Sequence, residues 1–434
     1  MSRAQNNRIL MFLENVPFPQ DIRVRREANA LTAAGYRVTV ICPSGNDQPF
    51  RETVNGVRVL RYPTPPPANG FLGYLWEYGY SMLATFVLSV LVFFADGFDA
   101  VHAHNPPDTF VFIALVYKLF GKRFIYDHHD LSPEMYQARF SGSANSTVYR
   151  VLLRLEKLSC RFADHVIVTN ESYKRLTIER GKVPESRISI VRNGIELNLL
   201  DQPIEPHRAL RELGKTIIGY VGVMGFQDGV DYLLRALDHL VHDCGRTDFY
   251  CVIIGGGDAW SDLQAQAHRL NLDSCVLFTG FLYGDELRRY LSAAEICVDP
   301  TPSNPYSDQS TMFKIMEYMS LGKPVVAFNL PEHRFTAQHS AIYVTPNDTR
   351  AFANAIAELM DNPRRREALG LAGRNRIESQ LAWDYSVPNL LHAYSLVLPA
   401  AVPTKPPVPQ IATNAGKSQA SPFAPNRNGS VSWR

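Results

Sequence analysis

The residues best suited to chemistry gather where short apolar runs end, and the densest group lies between Asp299 and Phe328. A strand over Ile296–Val298 reaches Asp299, and a loop rich in Pro, Ser and Asn then runs from Pro300 to Gln309. A helix is predicted over Thr311–Leu321, capped by Ser310 or Thr311 and ended at Gly322 with Pro324 beyond. A helix N-terminus at the carboxyl end of a parallel strand is an anion site, because free backbone N–H groups and the helix dipole both favour a phosphate. Lys314 would add a cation to a diphosphate there, and Glu317 could accept both hydroxyls of a ribose. On spacing alone, a plain cap at Ser310 and a solvated carboxylate at Glu317 fit equally well.

Two glycine turns follow predicted strands in the same half. These are Gly222-Val-Met-Gly225 after Ile217–Val221 and Gly255-Gly-Gly-Asp258 after Tyr250–Ile254. Both expose backbone, but neither completes the dinucleotide fingerprint nor carries a P-loop lysine, so a tight turn explains them as well as a phosphate does. In the first half, His102-Ala-His-Asn105 and Asp127-His-His-Asp130 also stand at strand ends. Their spacing matches no common zinc motif, which leaves structural hydrogen bonding or contact with sugar or phosphate ahead of metal binding. Asp21, Arg23, Arg25 and Arg26 open the first helix, where an arginine cluster could hold an anionic acceptor or merely face solvent. No Asp-x-Asp follows a strand.

The elements that must position these groups alternate almost throughout. Strands are predicted at Ile9–Leu13, Val38–Cys42, Val57–Arg61, Ala100–His102, Arg123–Tyr126, Val166–Thr169 and Ile188–Val191, with amphipathic helices between them. The pattern restarts at Ile217 and continues to a strand at Ile342–Val344 and terminal helices from Ala351. Such alternation indicates parallel, doubly wound α/β units, here two of them joined through a polar linker over 196–215 that carries Pro203 and Pro206. The 434 residues suit two domains. From Pro399 onward, Pro, Ser, Asn and Ala dominate, and a disordered tail is expected.

Net charge is +2, but it is unevenly placed: residues 1–195 hold 23 Lys and Arg against 17 Asp and Glu, and residues 196–399 hold 17 against 25. A basic first half suits an anionic membrane surface or a phosphate-bearing acceptor, and ordinary surface charge explains it equally well. The six cysteines have no metal-ligand spacing, and Cys251 and Cys297 sit in apolar runs as reduced, buried thiols would. No secretory signal is evident. The apolar stretch Phe71–Ala95 is broken by Gly73, Glu77 and Gly79, and reads as a buried or interfacial helix rather than a span. A cytoplasmic protein is expected, with peripheral membrane contact through its first domain and no nucleic-acid partner.

In this order and at these intervals, several segments together resemble the family 4 glycosyltransferases, a retaining family of the GT-B fold. They are Val101-His-Ala-His-Asn-Pro106, Asp127–Asp130, Val191-Arg-Asn-Gly-Ile195, Gly219–Asp231 and Met316-Glu-Tyr-Met-Ser-Leu-Gly-Lys-Pro-Val-Val326. The resemblance implies two Rossmann-like domains facing a cleft, over 1–198 for the acceptor and 199–380 for the nucleotide sugar. A C-terminal helix within 381–398 would cross back to the first domain, ahead of the tail over 399–434. It also implies metal-independent transfer from a nucleotide sugar to a lipid-linked or polysaccharide acceptor in cell-surface glycan synthesis, with no cofactor. Position by position, Glu317 matches the motif glutamate at the nucleotide ribose, His129 a histidine near the donor sugar, and Ser310 and Thr311 the loop that bonds the diphosphate.

These assignments make His129 and Lys314 the catalytic residues. Gly222, Gly225, Gly255, Gly257, Ser310, Thr311, Lys314 and Glu317 would hold the donor, and Asp21, Arg23, His104 and Asp130 the acceptor. The chain departs from the family at three places: Gln309 stands for the motif's first glutamate, Val223 and Met224 for the diphosphate arginine, and Asp228 for a lysine. Lys314 or Arg334 would then have to supply the missing positive charge. A sugar-nucleotide epimerase, or a nucleotide-sugar-binding protein without transfer activity, is the alternative.

Overall fold

A computed structural model describes residues 7–45, 47–65, 70–140, 145–225 and 227–399. The expected tail lies, Pro399 apart, outside the described residues. The chain forms two compact units. In their described parts, the first holds 7–133, 145–191 and 387–399, and the second holds 134–140 and 192–386.

The first unit is built on an eight-stranded sheet. Its strands are β1 Arg8–Phe12, β2 Arg37–Pro43, β3 Arg51–Val54, β4 Val57–Tyr62, β5 Ala100–His104, β6 Arg123–His128, β7 His165–Val168 and β8 Ile188–Ile190. They lie in the order β3-β4-β2-β1-β5-β6-β7-β8, all parallel except β3, which pairs antiparallel with β4. β4 matches the predicted strand Val57–Arg61 but β3 is not among the predicted strands, although Asn55-Gly56, at positive φ of 52° and 83°, form the two-residue turn that such hairpins favour. The unit's helices are α1 Ile22–Ala33, α2 Gly70–Ala95, α3 Phe110–Lys118, α5 Ser146–Phe162 and α6 Glu171–Glu179. A short helix, α4 Ser132–Arg139, follows, and its residues from Glu134 on are grouped with the second unit.

The second unit has six parallel strands: β9 Thr216–Val221, β10 Phe249–Ile254, β11 Val276–Gly280, β12 Ile296–Asp299, β13 Val325–Phe328 and β14 Ala341–Val344. Their order is β11-β10-β9-β12-β13-β14. Its helices are α7 Arg208–Arg211, α8 Val230–Asp238, α9 Trp260–Arg269, α10 Gly284–Ala293, α11 Phe313–Ser320, α12 Pro331–Ala337, α13 Thr349–Asp361 and α14 Pro363–Arg376. Strand side chains alternate between two cores, as a sheet covered on both faces requires. Ile218, Cys251, Ile253, Val326 and Phe328 join one core with α8 and α13, and Ile217, Val252, Ile254, Val325 and Ala327 join the other with α11.

The last helix, α15 Val387–Val397, returns to the first unit and packs on α1, β7 and β8. It begins later than the sequence suggested, because Trp383–Tyr385 forms a separate turn. That turn is held by a bond from the Trp383 N–H to the Ile195 carbonyl (2.9 Å). Gly194 is required there, since a Cβ would lie 2.5 Å from the Leu381 carbonyl oxygen.

Candidate active site

Strand order reverses between β9 and β12 in the second unit and between β1 and β5 in the first, and in open parallel sheets ligands bind at the carboxyl ends beside such a reversal. The expected residues fall largely at these two places, each within its own unit.

At the β9–β12 reversal, Asp299 closes β12 and is fully buried. Lys314 comes from the first turn of α11 and places Nζ 3.6 Å from Asp299 Oδ1 and 3.3 Å from the Tyr220 hydroxyl, over the Tyr220 ring. Nζ also lies against Gly222, 3.3 Å from where a Cβ would stand. Burial alone would discharge Lys314, but the Asp299 carboxylate and the Tyr220 and Asp228 groups hold it protonated far above neutrality. Asp299 is pushed up by burial and pulled down further by Lys314 and His333, so it stays ionised. Burial pushes Asp228 up, with Lys314 opposing. Asp228 also accepts from the Gly225 N–H (2.9 Å). An acid thus occupies the loop where the resemblance places a cation, and the Lys314 ammonium faces that loop from α11.

Tyr318 fixes α11 to both strands at the reversal, accepting from the Val221 N–H (2.9 Å) and donating to the Val298 carbonyl (3.2 Å). Tyr318, Asp299 and Tyr220 lie within segments the sequence singles out, but no sequence signal gives any of them a role of its own. The helix start differs from expectation: α11 begins at Phe313 after Met312, and neither Ser310 nor Thr311 caps it. Ser310 Oγ donates instead to the Tyr306 carbonyl, and Thr311 Oγ1 to Glu332 Oε2 (3.1 Å), which also lies 3.6 Å from Arg192. Glu317 is half-buried one turn beyond Lys314. Arg334, the other candidate cation, is bonded to Asn329 and stacked on Tyr343, away from the reversal.

The glycine turns pack on each other. The Gly222 N–H bonds the Ile254 carbonyl and the Met224 N–H the Gly256 carbonyl (3.0 and 2.9 Å). Gly255 and Gly257 have φ of +133° and +157°, and Cβ atoms there would come within 1.8 Å of the Gly222 oxygen and 2.7 Å of the Met224 oxygen. Both are thus needed for the close approach of the two loops. Met224 is buried in the core, so no arginine could act from that position.

In the first unit, α1 is capped by Asp21, whose carboxylate accepts from the Val24 N–H. Arg23 then turns inward. Its guanidinium bonds both oxygens of Asp127 (2.7 and 2.8 Å) and the Val191 carbonyl (3.0 Å), and lies 3.1 Å from Glu27. Arg23, expected to hold the acceptor, has its guanidinium bonded inside the unit. Asp21 is likewise engaged as a cap. His102 and His104, two apart on one strand, share a face, with ring centroids 4.2 Å apart. Both Nε2 atoms lie 3.9 Å from Glu27 Oε2. On the other side of each ring, His102 Nδ1 bonds the Tyr394 hydroxyl of α15 (2.8 Å) and His104 Nδ1 bonds Asp127 (2.9 Å). The two histidines stand at the end of β5 as expected, and both are buried.

Burial lowers both His102 and His104. Burial raises Glu27, and the nearby Asp127 raises it further, to about 8, so that it keeps its proton at neutral pH. Burial would lower His129, but Asp127, with Oδ2 at 3.4 Å from Nδ1, raises it to about 9. His129 is therefore an imidazolium at neutral pH, part-exposed at the end of β6. The Asn105 side chain accepts from the His129 and Asp130 N–H groups (2.9 and 3.1 Å), which sets the turn that presents it. Glu27, His102, His104 and Asp127 each offer a ligand atom within 4.8 Å of the others, a set able to hold a metal ion. The Arg23 guanidinium already lies against both acidic side chains of that set, Asp127 and Glu27.

Two doubly wound units, each with charged groups at a sheet reversal, define the architecture of a GT-B transferase. Family comparison agrees: a Glycosyl transferase 4-like domain matches residues 20–194 and Glycosyl transferases group 1 matches residues 215–362. The chain belongs to this glycosyltransferase family and is a glycosyltransferase that uses a nucleotide sugar. It is 24% identical to an uncharacterised glycosyltransferase of Methanocaldococcus jannaschii, over 86% of this chain and 92% of the relative. It is 26% identical to glycogen synthase of Mycobacterium tuberculosis, over 83% and 87%. Among solved structures it resembles sucrose-phosphate synthase from Thermosynechococcus elongatus, with a TM-score of 0.72, 21% identity and coverage of 90% and 98%. An Anabaena protein in complex with UDP-glucose gives a TM-score of 0.66 at 17% identity, covering 89% and 99%.

Proposed function

We propose that the second unit holds the donor diphosphate at the β9–β12 reversal, with Lys314 facing the phosphates and Glu317 the ribose. The sugar then passes, with retention and without a metal ion, to an acceptor taken up by the first unit. The observation that supports this most is Lys314: a buried ammonium, kept charged by Asp299, set against Gly222 at the strand ends where an open sheet binds ligands. A fixed cation there stabilises the charge that develops on the leaving diphosphate and needs no reorganisation during reaction. His129, the imidazolium of the first unit, is the group we assign to the transferred sugar, with His104 and Asp130 beside it. Nucleotide sugar would serve as substrate, with no further cofactor. The acceptor would be lipid-linked or a polysaccharide in cell-surface glycan synthesis, used at the cytoplasmic face of a membrane; the free state of all six cysteines suits a reducing compartment.

The test is calorimetric titration of UDP, GDP, ADP and dTDP into the wild type, Lys314→Met and Glu317→Ala. Each variant should bind the preferred nucleotide roughly tenfold or more weakly, as expected when a charged hydrogen bond is lost. Unchanged affinity in both would overturn the donor assignment.

A further inference from the structure

Helix α2 turns large apolar side chains to solvent and buries three hydroxyl residues. Ser81, Thr85 and Ser89, at i, i+4 and i+8, share its buried side with Leu88 and Val92. Ser81 bonds Glu14 (3.2 Å) and Ser89 bonds Tyr117 (2.7 Å). Its outward stripe is Leu83, Val87, Leu91 and Phe94, all exposed, with Leu83 at 64% and Phe94 at 82%. A helix facing water carries polar side chains there. The neighbouring α3 also shows solvent Phe112 and Val116, with Leu119 at its C-cap 86% exposed and Phe120 at 61%. The two stripes meet: Phe93 lies 5.4 Å, centroid to centroid, from both Phe94 and Phe120, and Lys122 sits over the Phe93 ring at 5.8 Å. The result is one continuous apolar surface, where exposed apolar residues on a soluble protein are usually scattered singly.

A basic row lies beside it. Helix α5 shows solvent Arg150, Arg154, Lys157 and Arg161, and no exposed acid lies on that helix. The connections β4→β5, β5→β6 and β6→β7 all advance in one direction across the sheet. Right-handed crossovers therefore place α2, α3 and α5 in one layer, and α2 packs on α3 as α3 packs on α5. The apolar stripes and the basic row thus lie side by side on one face. The part of α2 over Trp76–Ala95 is long and apolar enough to cross a bilayer, but its serine side is packed on α3 and the β2–β4 region, which a spanning helix could not keep.

We infer that the α2–α3–α5 face is a docking surface for an anionic lipid bilayer, with the apolar stripes lying in the interface and the α5 cations on the headgroups. It rests on the reading of a lipid-linked acceptor only for its usefulness, since the surface itself involves no donor residue. The test is flotation of the full chain with neutral phosphatidylcholine vesicles and with vesicles containing about a third phosphatidylglycerol. The variants are Leu91→Glu with Phe94→Glu, and Arg150, Arg154, Lys157 and Arg161 all →Gln. The wild type should float with the anionic vesicles, and less so as salt rises. Each variant should bind about tenfold or more weakly while keeping wild-type thermal unfolding and nucleotide affinity. Wild-type protein that stays unbound at low salt while still binding nucleotide would overturn the surface and spare the transfer reading. So would variants that float as well as the wild type. A wild-type dimer that Leu91→Glu with Phe94→Glu makes monomeric, without any vesicle binding, would assign the face to a second copy and overturn it as well.

Discussion

Asp127 sits at the centre of the first unit's charge network, fully buried and touching Arg23, His104 and His129. It stays ionised although burial opposes this, because the Arg23 guanidinium and the His129 imidazolium face it. Arg23→Met would strand that carboxylate, and loss of one partner of a buried pair should cost about 3–5 kcal/mol in urea unfolding. A cost below about 1 kcal/mol would mean the pair is solvated. The network also sets a pH dependence. Glu27 and His129 hold protons more tightly folded than unfolded, so their contribution is complete at low pH and lost as pH rises through about 8 and about 9. His102 and His104 act in the opposite sense, on the acid side of 6.5. Wild-type stability should therefore fall between pH 6.5 and 9. A Glu27→Gln/His129→Gln protein should be nearly flat over that window, and equal slopes would contradict the assignment.

Elements explain which of these groups the sequence could announce. Parallel strands and their helices were legible because β-branched runs and 3.6-residue patterns record burial directly. The β3–β4 hairpin escaped since its first strand, Arg51–Val54, is too polar to show an apolar run, and only Asn55-Gly56 marks it. The start of α11 was misplaced because Ser310 and Thr311 look like caps, whereas their hydroxyls bond Tyr306 and Glu332. Glycine turns announce only that backbone comes close to something; here that something includes the other glycine turn. Gly255→Ala should accordingly disrupt the second unit, destabilising it by about 3 kcal/mol or more, because the new Cβ meets backbone rather than a flexible side chain. Wild-type urea stability in that variant would show that the two loops can separate freely. Long-range partners such as Arg23 and Asp127, 104 residues apart, left no local trace at all.

At the scale of the molecule, two sheets of the same handed construction each offer their reversal point, and their charged groups differ in kind. The first presents an imidazolium backed by buried carboxylates, the second an ammonium backed by Asp299. That division matches one unit for the sugar being moved and one for the nucleotide that leaves. On the proposed donor site, Lys314 of α11 would take the place of the positive charge missing at Val223, Met224 and Asp228. The most direct check is thermal unfolding against UDP-, GDP-, ADP- and dTDP-sugars. One nucleotide class at about 100 times its dissociation constant should stabilise the wild type by about 2.7 kcal/mol, and Glu317→Ala should remove most of that gain. No stabilisation by any of the four, or an equal gain in Glu317→Ala, would contradict a donor site built on α11.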